Sequence, residues 1–437
     1  MVPHNTGQLI LETPGTSGAD IHAPEAWGLA QGSNSVIVGV VDTGINYTHA
    51  DLAGNIWTNA TTGEHGWNYT GGYSDNKVLD AWGHGTHVAG TIGALTNNGV
   101  GVAGVNWNVK LMSLKIFQTG SGSATTIQDA INAIQFADAN GVMISSNSWS
   151  GSGGNSQALK DAIDASPELF IAAAGNSGAN IDVVPEFPAA FDSPNIISVA
   201  ATDQNDQLAS FSNYGPISVD IAAPGVNIAN TACANAGVFD PECGYYYMSG
   251  TSMATPQVSG VAALVKSVNP RLTNIQIKNI ILDNVDVIPS LSGKVNTSGR
   301  LNAYKALLAA QATLFTPVAN FTGTPITGLA PLTVTFTDQS TNTPATWNWT
   351  FSDGNGTNAT DRNPVHTYLA PGTYDVSLNV TNAGGSNNVT KSGYIVVTRF
   401  PATKIGVVRD SHEWYLDYNG NGQWDNDVSD RHCRIPQ

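Results

Sequence analysis

From Val36 to Ala200 short runs of unbroken apolar residues recur, at Val36–Val41, Val109–Ile116, Val142–Ser145, Leu169–Ala174 and Ile196–Ala200. Between and after them the apolar positions fall at helical spacing, over His84–Leu95, Thr126–Asn140, Ser156–Ala165 and Thr255–Val268. A strand that is apolar at every position is buried on both faces, so the pattern predicts an α/β fold: a parallel sheet with helices on both faces. Further helical segments follow over residues 273–314, among them Leu301–Ala312, while residues 1–30 read as an irregular arm. This first unit is expected to span residues 1–314.

Phe315-Thr316-Pro317 marks a change of period. The helical pattern stops, and short alternating strands take over at Leu332–Thr337, Trp347–Phe351, Gly372–Thr381 and Tyr394–Thr398, separated by turn residues. Alternation of that kind predicts an all-β sandwich domain over residues 318–398. Trp347, Trp349 and Phe351 share one face of their strand; they form either an aromatic platform for substrate or a packed core, and the core is the expectation. Residues 399–437 remain as a tail whose end, Asp430–Gln437, reads as unstructured.

Composition narrows the function. Of 437 residues 41% are apolar, enough for a sizeable core, but only 11% are charged, and the net charge is −16. The polar surface is therefore built from Asn, Thr, Ser and Gly. A chain this acidic, with no basic patch, has no electrostatic reason to seek nucleic acid. Its carboxylate excess favours solubility and suits calcium. No run of about 18 apolar residues appears, so no membrane span is expected. Nothing like a leader precedes Pro3, yet Asn-x-Ser/Thr sequons at Asn46, Asn59, Asn68, Asn320, Asn348, Asn379 and Asn388 suit a secreted protein. Cys233 and Cys243 bracket a loop, as a disulfide bridge or as two free thiols, and Cys433 is left over.

Three stretches carry chemistry. In Ser249-Gly250-Thr251-Ser252-Met253-Ala254-Thr255-Pro256, a serine stands where small residues meet a helix. Small neighbours admit a substrate backbone, and a helix N-terminus offers N–H groups to a developing anion. Alone, such a stretch is most often a loop or cap. Two others add weight: Val40-Val41-Asp42-Thr43-Gly44 ends a strand in an acid, and His84-Gly85-Thr86-His87-Val88-Ala89-Gly90 opens a helix with a histidine. With Ala173-Ala174-Gly175-Asn176-Ser177-Gly178, and in the chain order Asp42, His84, Ser252, these motifs resemble the subtilisin-like serine proteases. The resemblance covers roughly residues 5–314. Trp347–Gly354, His366-Thr367-Tyr368 and Pro371–Tyr374 in turn resemble the polycystic-kidney-disease (PKD) domain.

The first resemblance implies Ser252 as nucleophile, His84 as its base, Asp42 as the group orienting the base, and Asn176 as side-chain donor to the oxyanion. It makes His87 and His49 structural. Substrate is implied as an extended strand between Gly120-Ser121-Gly122 and Ser148-Trp149-Ser150, above a pocket floored by Ala173 and Gly175. It also implies structural Ca²⁺, held by Gln8, Asp51, Leu95, Asn97, Val100 and Val102, in a loop one residue longer than is usual in the family. Asp417, Asn419, Asn421 and Gly422 start a second calcium-loop-like pattern, but its twelfth position is Val428 where Glu is needed. The expected protein is thus an extracellular, monomeric serine endopeptidase acting on proteins or peptides through an Asp/His/Ser triad and an acyl-enzyme. Its PKD-like domain would hold an extracellular polymer or protein. The alternative is an inactive surface adhesin; an ester hydrolase is disfavoured because Gly-x-Ser-x-Gly is absent around Ser252.

Overall fold

The computed structural model describes residues 15–72, 74–80, 82–117, 125–151, 155–235, 238–354 and 359–399, with three short strands beyond. The chain forms two compact units, Met1–Leu314 and Phe315–Gln437.

In the first unit the strands are β1 (Gly32–Asp42), β2 (Gly66–Asn68), β3 (Asn108–Lys115), β4 (Ile144–Asn147), β5 (Leu169–Ala173), β6 (Ile196–Thr202), β7 (Ile221–Pro224), β8 (Ile228–Asn235), β9 (Val238–Met248), β10 (Asp286–Val287) and β11 (Gly299–Arg300). The helices are α1 (Ala23–Trp27), α2 (His84–Gly93), α3 (Ile127–Ala139), α4 (Gln157–Ala165), α5 (Thr251–Val268), α6 (Asn274–Leu282) and α7 (Ala303–Ala312). Among the described residues one sheet has nine strands, in the order β10-β11-β7-β6-β5-β4-β1-β3-β2. Every pair is parallel except β10–β11. β5 and β6 are buried at every position, as unbroken apolar strands should be. α5 packs across β1 and β4 to β7, while α3 and α4 pack on each other. Val41, Leu114, Ile134, Ile163, Phe170 and Ile196 belong to one buried cluster.

Sequence periodicity missed the β8–β9 hairpin, whose strands pair antiparallel from Ile228↔Met248 to Asn235↔Val238. The side chains of Cys233 and Cys243 within it lie outside the description. It also placed the start of α5 at Thr255. The helix begins four residues earlier, at Thr251, because small residues carry a helix turn without adding an apolar stripe.

The second unit is a sandwich. Its strands are β12 (Phe321–Thr324), β13 (Thr327–Leu329), β14 (Leu332–Asp338), β15 (Thr346–Thr350), β16 (Val365–Tyr368), β17 (Gly372–Asn382) and β18 (Gly385–Thr398), in sheets β12-β14-β16 and β13-β18-β17-β15. Phe321, Phe336, Trp349, Phe351 and Tyr368 fill its core. Trp349 and Phe351 are buried there and stacked at 6.5 Å, with Trp347 packed at the margin, so these aromatics are packing. In the tail, β19 (Gly406–Arg409), β20 (Glu413–Leu416) and β21 (Arg431–Arg434) form an antiparallel sheet. The expected disorder of Asp430–Gln437 is thereby corrected at Arg431–Arg434. Backbone pairing with β20 builds that strand, and it needs no apolar pattern. The loop from Asp417 to Val428 lies outside the described residues.

Candidate active site

The carboxyl ends of neighbouring parallel strands converge on one place, where open α/β sheets hold their ligands. Asp42 ends β1, Asn147 ends β4 and Ala173 ends β5. His84 opens α2, and Ser252 is the second residue of α5. α2 can start hard against β1 because its second residue is Gly85. A Cβ there would lie 2.2 Å from the Gly44 carbonyl oxygen and 3.1 Å from Asp42 Cβ.

Asp42 is buried and His84 half-buried. His84 Nδ1 lies 2.7 Å from Asp42 Oδ1 and 2.9 Å from Oδ2. Between an imidazole nitrogen and a carboxylate the nitrogen is the donor, so Nδ1 carries the proton and neutral His84 keeps Nε2 free to accept. Thr43 N–H donates to the same Asp42 Oδ1 at 2.7 Å. Burial pulls the imidazole down, but the charge and hydrogen bond of Asp42, with the charge of Asp80, carry it above its ordinary value.

Ser252 and Ser148 are tied to each other. Ser252 Oγ donates to the Ser148 carbonyl at 3.2 Å, and Ser148 Oγ donates to the Ser252 carbonyl at 2.9 Å. The end of β4 is thus locked to the first turn of α5. Asn176 Oδ1 accepts from Thr251 N–H at 2.9 Å and from Thr251 Oγ at 3.0 Å. With Oδ1 so engaged, the amide Nδ2 is the end left for the cleft. Gly175 N–H donates to Thr251 Oγ1 at 3.2 Å, which closes the link from the β5 turn to α5.

The expected substrate-binding residues separate into three groups. Ser148 and Ala173 are buried, Trp149 is half-buried and meets Phe170 edge-on at 6.4 Å, and Ser150 is exposed. Gly175 has φ +101°, and a Cβ on it would lie 2.4 Å from Asn213 Nδ2 and 3.1 Å from Ser150 Oγ. Gly120, Ser121 and Gly122 lie outside the described residues.

The two other histidines are built into the scaffold. His87 is fully buried, and its Nε2 donates to the Ile228 carbonyl at 2.9 Å and the Tyr246 carbonyl at 3.2 Å. Burial lowers it to about 4, so it is neutral at pH 7. His49 Nδ1 accepts from Asp51 N–H at 3.1 Å, and burial lowers this imidazole too.

At the expected calcium loop, Asp51 is fully buried. Its Oδ1 accepts from Asn98 Nδ2 at 2.6 Å, and its Oδ2 from Val102 N–H at 3.0 Å and Tyr245 Oη at 3.4 Å. Asn98 is the loop side chain that hydrogen-bonds it, next to the expected ligand Asn97, whose φ is +60°. Leu95 and Val102 turn N–H groups toward Asp51, Leu95 to its carbonyl at 2.7 Å, and Val100 N–H goes to Asn98 Oδ1 at 3.0 Å. Gln8 lies outside the described residues. Among the described residues no group of three or more His, Cys, Asp or Glu is arranged to hold a metal. Asp51 nevertheless fits a hard cation. It is a buried carboxylate whose described partners are neutral donors, beside a loop rich in amide and carbonyl oxygen.

Comparison with known proteins decides the family. The sequence profile of the Subtilase family matches residues 33–311. The chain is a subtilase. That of the PKD domain matches residues 315–397, so this subtilase carries a PKD domain. Thermitase from Thermoactinomyces vulgaris is 38% identical over 291 residues, 66% of this chain and 93% of that one. Subtilisin Savinase from Lederbergia lenta is 38% identical over 294 residues, 65% of this chain and 96% of its own. Among solved structures, one of proteases from Pseudoalteromonas arctica superposes with TM-score 0.59 and 30% identity, covering 67% of this chain and 95% of that one. This subtilase is therefore a serine-type endopeptidase. No helix among its described residues is long and apolar enough to cross a membrane.

Sequence reading passed over four residues that shape the site. Thr251 fixes Asn176, Asn98 reaches Asp51, Asp80 braces the start of α2, and Asn213 holds the Gly175 turn. Thr251 and Asp80 could have been found by their place beside Ser252 and four residues before His84. Asn213 had no local signal, since its partners are 34 to 39 residues away.

Proposed function

We propose that this subtilase cleaves proteins outside the cell with Ser252 as nucleophile, His84 as general base, Asp42 as its orienting anion and Asn176 as oxyanion donor. The observation that carries the reading is the clasp of both Asp42 oxygens on His84 Nδ1, which fixes the tautomer with Nε2 as acceptor. Ser252 Oγ leaves the Ser148 carbonyl by turning about its Cα–Cβ bond and gives its proton to Nε2 as it attacks the scissile carbonyl carbon. The new oxyanion takes hydrogen bonds from Asn176 Nδ2 and Ser252 N–H. The amine leaves with the proton from Nε2, and water then repeats the sequence on the acyl-enzyme. Losing an oxyanion donor costs about 10²–10³ in kcat, a magnitude taken over from the relative subtilisin itself and not obtained from this chain.

Substrate lies extended along Ser148, Trp149 and Ser150, with Gly120, Ser121 and Gly122 on the far side and Ala173 and Gly175 beneath. The enzyme works as a monomer. Its PKD domain holds an extracellular polymer or protein near the protease. The adhesin alternative is not favoured, since the catalytic motifs are intact. Subtilases commonly bind structural calcium. In this chain Asp51 would hold it with Asn97, the carbonyls of Leu95, Val100 and Val102, and Gln8 from the arm. The ion would supply stability and no chemistry.

Ser252→Ala should abolish hydrolysis of a chromogenic peptide without changing the thermal midpoint, and a serine-directed phosphonate should add one adduct to wild type and none to the variant. His84→Ala should be as inactive. His87→Ala should keep its base and lose stability instead. Activity above trace in Ser252→Ala, or loss in His87→Ala equal to that in His84→Ala at the same folded fraction, overturns the assignment.

A further inference from the structure

Asp80 is a fully buried carboxylate that lies outside the catalytic motifs, and its hydrogen bonds go to no described residue expected to line the substrate cleft. Five donors converge on it. Oδ1 accepts from Thr43 Oγ1 at 3.0 Å, Trp82 N–H at 2.9 Å and Gly83 N–H at 3.0 Å. Oδ2 accepts from Thr86 N–H at 2.9 Å and Thr86 Oγ1 at 2.6 Å. A buried charge is tolerated only with partners of this number and strength.

The donors belong to two segments. Thr43 follows Asp42 directly at the end of β1, and its Oγ1 also accepts from Gly85 N–H at 2.9 Å. Gly83 precedes α2, and Thr86 lies in its first turn, where N–H groups have no partner inside the helix. Thr86 Oγ1 further accepts from Asn46 N–H at 3.0 Å, on the segment that leaves β1. Asp80 and Thr43 together therefore satisfy the free N–H groups on either side of His84 and bind them to the strand end that presents Asp42.

We propose that Asp80 is a positioning residue of the catalytic pair: it holds the first turn of α2 against the end of β1, and so sets the imidazole of His84 on the carboxylate of Asp42. The proposal rests on His84 being the base. It assigns Asp80 a second, electrostatic effect, because its fixed negative charge favours the imidazolium that forms as Ser252 attacks. Among the described residues, the charged and titratable groups near the pair besides Asp80 are His87 on α2, Lys115 on β3 and, beside Lys115, Asp75 in the preceding loop. Lys115 Nζ donates to the Leu79 carbonyl at 2.9 Å, beside Asp80, so the site keeps a cation when the Asp80 charge is removed.

The test is the pH profile of kcat and KM on a small peptide for the full chain and for Asp80→Asn, Thr43→Val, Thr43→Ser and Ser252→Ala. An amide cannot accept at both ends, so Asp80→Asn must give up Thr86 N–H or the Trp82 and Gly83 N–H groups. It should lose about tenfold in kcat with KM nearly unchanged. The acid limb of kcat/KM should move down by about half a pH unit, because one of the charges that favour imidazolium is gone. Thr43→Val cuts the same brace but keeps the charge; it should lower kcat and leave the limb in place, and Thr43→Ser should recover most of the loss. A merely structural Asp80 would lower the thermal midpoint while kcat per folded molecule and the acid limb stay as in wild type, and that result overturns the proposal. If Asp80→Asn does not fold, the Thr43 pair decides: Thr43→Val with wild-type kcat overturns it, and loss with recovery by serine supports it. Activity in Ser252→Ala would instead sink the triad reading. An inactive Ser252→Ala beside a fully active Asp80→Asn removes Asp80 alone.

Discussion

Glu168, at the start of β5, is the residue whose chemistry is most at odds with its surroundings. It is buried, and among the described residues neither carboxyl oxygen has a hydrogen-bond partner within normal geometry. Burial pushes it up from 4.5 to about 8; Ser145 opposes this with a weak hydrogen bond, and the charge of Asp138 adds to it. The folded chain therefore keeps a proton that the unfolded chain releases above pH 4.5. Between there and pH 8 the unfolded state binds fewer protons, so this group makes stability fall as pH rises, by about 1.4 kcal/mol per unit. Below 4.5 both states are protonated and the penalty vanishes; above 8 it stops growing. Glu168→Gln should remove the slope, so that its advantage over wild type grows from pH 5 to pH 8 in urea unfolding. Parallel curves for the two proteins would mean that Glu168 is ionised or solvated in the fold. Near the cleft the same logic runs the other way. On the proposal that His84 is the base it must be neutral to act, so kcat/KM should fall as pH drops through its raised pKa.

At the scale of elements, the turn after β5 carries Asn176, the proposed oxyanion donor. Asn213 Nδ2 donates to the Ala174 carbonyl at 2.9 Å, and its Oδ1 accepts from Ser177 N–H at 3.0 Å and Ala179 N–H at 2.9 Å. Gly175→Ala would put a Cβ 2.4 Å from that Nδ2, at a backbone angle that side chains rarely adopt. Asn213 must then move, and the turn carrying Asn176 moves with it. Such a residue costs about 1–3 kcal/mol of stability, and kcat should drop at least about tenfold with little change in KM. An unchanged kcat would show that Asn176 is held by Thr251 alone. The parallel strands were legible in the sequence because burial on both faces writes an unbroken apolar run, and the proposed catalytic residues because their motifs are local. The rest was hidden for physical reasons. The β8–β9 hairpin is edged with tyrosine and asparagine and keeps no period. The hydrogen bond from Asn98 to Asp51 was hidden because the two residues lie 47 positions apart. Asp80 looks like any loop acid until the fold wraps five donors around it.

At the scale of the whole molecule, each unit has its own buried cluster, one around Phe170 and Ile134 and one around Phe321 and Trp349. A chain ending at Leu314 should fold and hydrolyse a short peptide at the wild-type rate, and a folded but inactive product would show that the PKD domain contributes to the site. That shorter chain is also the right one for calcium, since it lacks the loop at Asp417. Asp51 is a buried charge whose described partners are neutral, from Asn98, Val102 and Tyr245, and those residues come from the 98–102 loop and the β8–β9 hairpin. A cation there would tie three distant segments together in the folded state only. Binding restricted to the folded state adds RT ln(1 + [Ca²⁺]/Kd), about 4 kcal/mol at a thousand times Kd. Chelation should therefore lower the thermal midpoint and speed self-digestion, while kcat of the surviving enzyme holds, because the proposed triad uses no metal. Asp51→Asn should melt at the same lowered temperature with and without calcium. Equal midpoints for the unsubstituted chain in excess calcium and in excess chelator would show that the three neutral donors satisfy Asp51 by themselves.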